Sequence, residues 1–192
     1  MNAAARIAEL ALAAGEYVRS SLAVELDGSA ESLAFVDHYI SKIGNTSDEV
    51  MALVAAALGA YFGEVAIARF GGQWRAEEDD PASWTVTLEA APLRFHPVGM
   101  AAEAIRGQDL EDWDGGLRVP SAWEADVAEA LESSGPVEAD YYYSLTGRLE
   151  TMERTIDLVN ELRRREAETA AAAAAGLAGS NDPGEGGGQP LN

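Results

Sequence analysis

Residues Thr46 to Trp74 read TSDEVMALVAAALGAYFGEVAIARFGGQW, and no other stretch constrains the fold as tightly. Val50, Leu53, Val54, Ala57, Leu58, Tyr61, Phe62 and Val65 recur at spacings of three and four, which predicts a long helix with a continuous apolar face. Thr46 and Glu49 have the spacing of a capping box at its start. Gly71-Gly72 stops it. Gly59 and Gly63 lie one turn apart and leave room for another backbone to approach closely. Glu64 stands among apolar neighbours. A carboxylate placed there needs partners, whether backbone N–H groups, an indole or a guanidinium.

After Gly72 the apolar period changes from 3.6 to 2. Trp84, Val86 and Leu88 alternate with Ser83, Thr85 and Thr87, the pattern of a half-buried strand. Three strands are expected, at about 73–77, 84–90 and 93–95, with Glu78-Asp79-Asp80-Pro81 as an exposed connection. Pro97 suits the first position of a helix running to Arg106, closed by Gly107. Residues 108–120 read as loop with a short extended piece at Leu117 to Val119. Ser121 and Glu124 then repeat the capping-box spacing before a helix carrying Trp123, Val127 and Leu131.

Two helices precede the central one. The first, over 3–19, aligns Ile7, Leu10, Ala11, Ala14 and Val18; the second, capped by Ser29, aligns Leu33, Val36, Ile40 and Ile43. The last helix carries Tyr142, Leu145, Leu149, Met152, Ile156 and Val159 at alternating spacings of three and four, a heptad-like stripe, with Arg163 to Arg165 near its negative end. The expected fold is α+β: helices packed around a small antiparallel sheet and closed by a long C-terminal helix. Residues 1–168 form the domain. Residues 169–192 form an alanine-rich extension and a Gly/Pro tail without apolar side chains enough to pack.

The chain has no cysteine, which removes disulfides, thiolate metal sites and cysteine nucleophiles. Its net charge of −20 is uneven: residues 77–140 hold sixteen acids against Arg94, Arg106 and Arg118, a balance of −13. Such a surface repels a phosphate backbone, so nucleic acid is not an expected partner. It serves solubility, or it docks a basic protein. Glu9 and Glu16 interrupt the apolar N-terminal stretch, unlike a signal peptide. The longest uncharged run, Val50 to Gly63, is 14 residues against the roughly 20 that span a bilayer. A cytoplasmic protein is expected. Twelve arginines against the single Lys42, with abundant alanine, suit a bacterium with a GC-rich genome.

The sequence contains no G-x-S-x-G, H-E-x-x-H, G-x-G-x-x-G or P-loop pattern. The loop Glu111 to Gly116 resembles a calcium loop only until Gly115 is set as its sixth residue. Positions 1 and 12 then fall on Leu110 and Ser121, neither a carboxylate, and the loop reads instead as a turn with Trp113 folded onto the surface. Asp37 and His38 are adjacent on a helix and point about 100° apart, so they do not chelate one ion together. His96, before Pro97 at a strand-to-helix junction, and Glu64 remain the catalytic candidates. No metal or cofactor is expected.

The order Gly59-x-Tyr61-x-Gly63-Glu64, then Gly72-x-Trp74, a strand with Trp84, and Phe95-His96-Pro97 before a helix resembles a core found in uncharacterised bacterial proteins. The resemblance covers about 60 residues and implies an α+β domain of unknown function. It transfers no catalytic residue.

Two functions stay open. One is a non-enzymatic interaction module of regulatory or immunity-protein type, binding a protein partner, basic if it docks on the acidic face, through that face or the C-terminal helix. The other is a small hydrolase or transferase using Glu64 or His96. A nucleic-acid mimic is a remote third. Self-repulsion favours a monomer over a homodimer paired through the last helix.

Overall fold

The computed structural model describes residues 2–44, 46–133 and 135–179, with side chains described through residue 175. Its axis is α3 (Asp48–Phe70). The cap is Ser47 rather than Thr46: the Ser47 hydroxyl accepts the Val50 N–H at 3.4 Å, and Asp48 and Glu49 occupy the positive first turn. From Val54 to Gly63 every residue is buried, so the middle of α3 is enclosed on all sides. Val50 and Leu53 depart from the expected apolar face. They are 47% and 57% exposed, because the first turns are covered on one side only, where Met51 and Val54 are buried. By length and composition α3 could cross a membrane, but 72% of its apolar window is buried within the fold, as a core helix requires.

Helix α1 (Ala3–Leu22) and helix α4 (Pro97–Arg106) make the most extensive contacts with α3. The α3 and α4 backbones approach closely at Gly59. A Cβ there would lie 2.5 Å from Val98 Cα and 2.8 Å from the Pro97 carbonyl oxygen. Pro97 opens α4, and Gly107, with φ 65°, closes it by donating its N–H to the Glu103 carbonyl.

The sheet is a four-stranded antiparallel meander in sequence order: β1 (Gly72–Arg75), β2 (Thr85–Leu88), β3 (Arg94–Phe95) and β4 (Leu117–Arg118). The strands are shorter than expected, and the extended piece within the 108–120 loop forms the fourth. Trp74 pairs with Val86, Val86 with Phe95, and Phe95 with Leu117. Val86, Leu88 and Phe95 are buried, and Phe95 meets Phe62 of α3 edge to face at 5.8 Å. Asp80 caps the short 3-10 turn Pro81–Ser83 between β1 and β2.

Helix α2 (Leu33–Ile43) begins later than a Ser29 cap would place it. Ser29 instead belongs to the preceding turn, where its N–H reaches Asp27 and its hydroxyl accepts the Ser32 N–H. Helix α5 (Glu124–Ser133) likewise opens at Glu124, after a turn closed by Trp123 N–H on the Pro120 carbonyl. The expected single C-terminal helix is broken. A short α6 (Ala139–Tyr143) ends at the extended Ser144, and α7 (Leu145–Gly179) starts anew. Ser144 caps α7 by accepting the Gly147 N–H at 2.9 Å.

The stripe on α7 therefore starts at Leu145. Leu145, Leu149, Met152, Ile156 and Val159 are buried in the core, whereas Tyr142 on α6 is 54% exposed. Arg163 to Arg165 lie mid-helix rather than near its end. Arg164 bridges Glu161 and Glu168, and Arg165 joins Glu161, a solvent-exposed ladder. Residues 163–175 are exposed, and the alanine-rich part continues α7. Gly179, where the tail is expected to begin, instead ends α7, and the remainder over 180–192 lies outside the described residues. The main hydrophobic core draws side chains from α1, α2, α3, β2, β3, α4, α5 and α7, and Ile7, Ala60 and Trp84 form a smaller cluster of their own.

Candidate functional site

The Gly59-to-Glu64 motif is a packing device, each member with a separate partner. Gly59 admits α4. The Tyr61 hydroxyl accepts the Gly28 N–H at 3.0 Å and meets the Ser32 hydroxyl, tying the α1–α2 connection to the core. Gly63 lies under the Trp74 indole, where a Cβ would stand 2.2 Å from Cζ2. Trp74 Nε1 then donates to Glu64 Oε1 at 2.7 Å. The glutamate thus has an indole partner, but it is exposed, not embedded, because α3 turns this one position outward in its enclosed stretch.

His96 is the N-cap residue of α4, without a capping hydrogen bond from its side chain. Its Nε2 lies 3.6 Å from Asp114 Oδ2, beyond a hydrogen bond, and its buried Nδ1 has no partner among the described residues. Burial works against ionisation of the Asp114 carboxyl. The hydrogen bond from Arg118, the Gly116 N–H and the charges of Arg118 and His96 outweigh it and hold the group below the usual carboxylate range. The aspartate is thereby committed to ordering its own loop.

Behind that loop lies an ion pair that the sequence reading missed. Glu103 Oε2 accepts from Arg148 Nη2 at 2.6 Å, with both side chains under a tenth exposed. Arg148 Nη1 donates to the Gly115 carbonyl at 2.6 Å, and the guanidinium lies 5.7 Å from the ring centres of Tyr142 and Tyr143. Two glycines make the assembly possible. A Cβ on Gly99 would fall 1.9 Å from the Asp114 carbonyl oxygen, and one on Gly115 would fall 1.9 Å from Glu103 Oε2. The signal was present in PVGMAAEAIR, a lone acid in an apolar helix, the same signal that drew attention to Glu64. The half-buried Trp113 packs on the core as expected for a turn. Among the described residues no group of three or more His, Asp or Glu side chains is placed to hold a metal ion.

A groove of about 330 Å³ opens beside the ion pair, walled by Met100, Leu117, Val127, Leu131 and Met152, with Arg148 at its edge. Glu124 lines the groove, and exposed acids are frequent along residues 109–140. Asp109, Glu111, Asp112, Glu124, Asp126, Glu129, Glu132, Glu138 and Asp140 are all exposed. Of the arginines between residues 77 and 140, Arg106 pairs with Asp48 and Arg118 with Asp114.

A further carboxylate organises the start of α7, one turn before Arg148. Asp37 on α2 accepts the Leu145 N–H at 2.7 Å, and the Thr146 N–H and hydroxyl at 3.1 and 2.6 Å. Burial raises this carboxyl above its ordinary value, exceeding the downward pull of those three hydrogen bonds. Its neighbour His38 is exposed. The chain matches no protein-family model, no curated protein and no solved structure.

Proposed function

We propose that this protein acts by binding another protein, and that the acidic surface around the 108–120 loop, α5 and α6 docks a basic partner. The observation that carries the reading is the uncompensated charge: nine exposed carboxylates, with the neighbouring Arg106 and Arg118 already paired to Asp48 and Asp114. The buried Glu103–Arg148 pair and its contact with Gly115 hold the loop on α4 and α7, so the charges stand on a preorganised support. The exposed Val137 and Tyr142 add apolar and aromatic contact area beside them. Catalysis has less support. Glu64 is taken up by the Trp74 indole, and the aspartate nearest His96 is held by Arg118.

The test is association of the full chain with a captured and then purified partner. Neutralising Glu111, Asp112, Glu129 and Glu132 to their amides should slow association, and rising salt should slow the wild type alike. A partner whose association ignores both changes would remove this surface from the function.

A further inference from the structure

We propose that a second surface, the groove between α1 and α3, receives a basic amphipathic helix from a partner protein. It shares no residue with the acidic surface above, and stands or falls separately. The groove measures about 490 Å³, and Ala8, Ala11 and Gly15 of α1 give it a shallow floor. Leu12 rises beside them, 72% exposed, the highest exposure among the described large apolar side chains. Gly15 is the telling residue. It sits in the interior of a 20-residue helix, yet a Cβ built on it meets nothing within 4 Å. Glycine weakens a helix relative to alanine, and no contact among the described residues requires it here. What its absent side chain leaves is a notch beside an exposed leucine, the shape that accepts an apolar knob from a crossing helix.

Charge selects the occupant. Glu16, Glu25 and Glu64 border the groove, and its one cation, Arg19, is paired to Glu16. The hydrogen bond to Glu64 comes from a neutral indole and leaves its charge uncancelled. A helix with an apolar face flanked by lysine or arginine satisfies both features. A second copy of this chain does not, since it would bring the same carboxylates and a net charge of −20.

The probe is a synthetic leucine–lysine helix with one apolar face, compared with a scrambled peptide of identical composition. Amide shifts in the ¹⁵N-labelled full chain locate it. Binding should move Ala8 to Arg19 and Tyr61 to Glu64, and should exceed binding of the scrambled peptide. Gly15→Gln should retain or raise the melting temperature and weaken binding by about tenfold or more, as blocking an interface centre does. The pair Glu25→Gln and Glu64→Gln should flatten the salt dependence. Shifts confined to residues 108–140, equal binding of the scrambled peptide, or undiminished binding to Gly15→Gln would each overturn the proposal. So would a dimer in light scattering that Gly15→Gln dissolves, which would assign the groove to a second copy.

Discussion

Removing either half of the Glu103–Arg148 pair should be among the most damaging single changes available to this fold. The pair meets at 2.6 Å, with the glutamate and arginine side chains 8% and 9% exposed. With Glu103→Leu the guanidinium keeps its bond to the Gly115 carbonyl but loses its counter-charge in a nearly dry position. Such uncompensated burial costs about 3–5 kcal/mol, roughly a fifth or more of a typical domain's stability of about 5–15 kcal/mol. Arg148→Met should cost a similar amount through the stranded carboxylate. The double variant should not cost the sum, because apolar replacement of both members leaves no buried charge behind and is often close to neutral. Urea unfolding of the four proteins measures this directly, provided the slope of the transition stays constant. Two single variants each within about 1 kcal/mol of wild type, adding simply in the double, would refute the argument. That result belongs to a solvated surface pair, not a buried one.

Three other outcomes follow from the same structure. Gly99→Ala forces a methyl group into the Asp114 carbonyl and should destabilise by about 1–3 kcal/mol or more, visible as an earlier urea midpoint. Glu64→Ala should cost less than about 1 kcal/mol in the same assay, since the exposed carboxylate leaves only an indole N–H that water can serve. For Asp37 the raised native carboxyl means that the folded state binds the proton more tightly than the unfolded state. Its contribution is complete below the unfolded value of about 3.9 and is lost as pH rises through the native value, so wild type should fall in stability relative to Asp37→Asn on going from acid to neutral pH.

The helices were legible because their signals are local. Residues 97–107 carry proline at the start, glycine at the end and an apolar face between, and the structure follows them closely. The sheet was legible as a period change at Gly72, although two-residue strands such as β3 leave too little alternation to set their ends. The break at Ser144 was not legible. The new helix start is capped by Ser144 accepting from Gly147, within the next turn, and by Asp37 accepting from Leu145 and Thr146, more than a hundred residues away, and no pattern along α6 and α7 announces the second. The site divides in the same way. A lone acid in an apolar helix flagged Glu64 and described Glu103 equally well. What separates them is the direction each faces after folding, set by contacts of α3 and α4 with distant elements. Arg148 looked like any arginine on a polar helix face until α6 and the 108–120 loop closed over it.

The enclosure of α3 also bears on how the protein is made. Before its neighbours are in place, this helix is a 23-residue apolar segment with the length and composition of a membrane span. Helix α1 precedes it and can cover part of its surface as soon as it emerges. Helix α4, which closes the crossing at Gly59, ends only at Arg106, so a nascent chain must carry α3 partly bare while the meander is still being synthesised. During that interval the segment is exposed to chaperones, to aggregation and to a passing bilayer, as transiently uncovered apolar surface generally is. In the finished protein this crossing is closed where the Val98 backbone seats against Gly59. A substitution that slows this seating would reduce the yield of folded protein in the cell more than its effect on equilibrium stability would suggest.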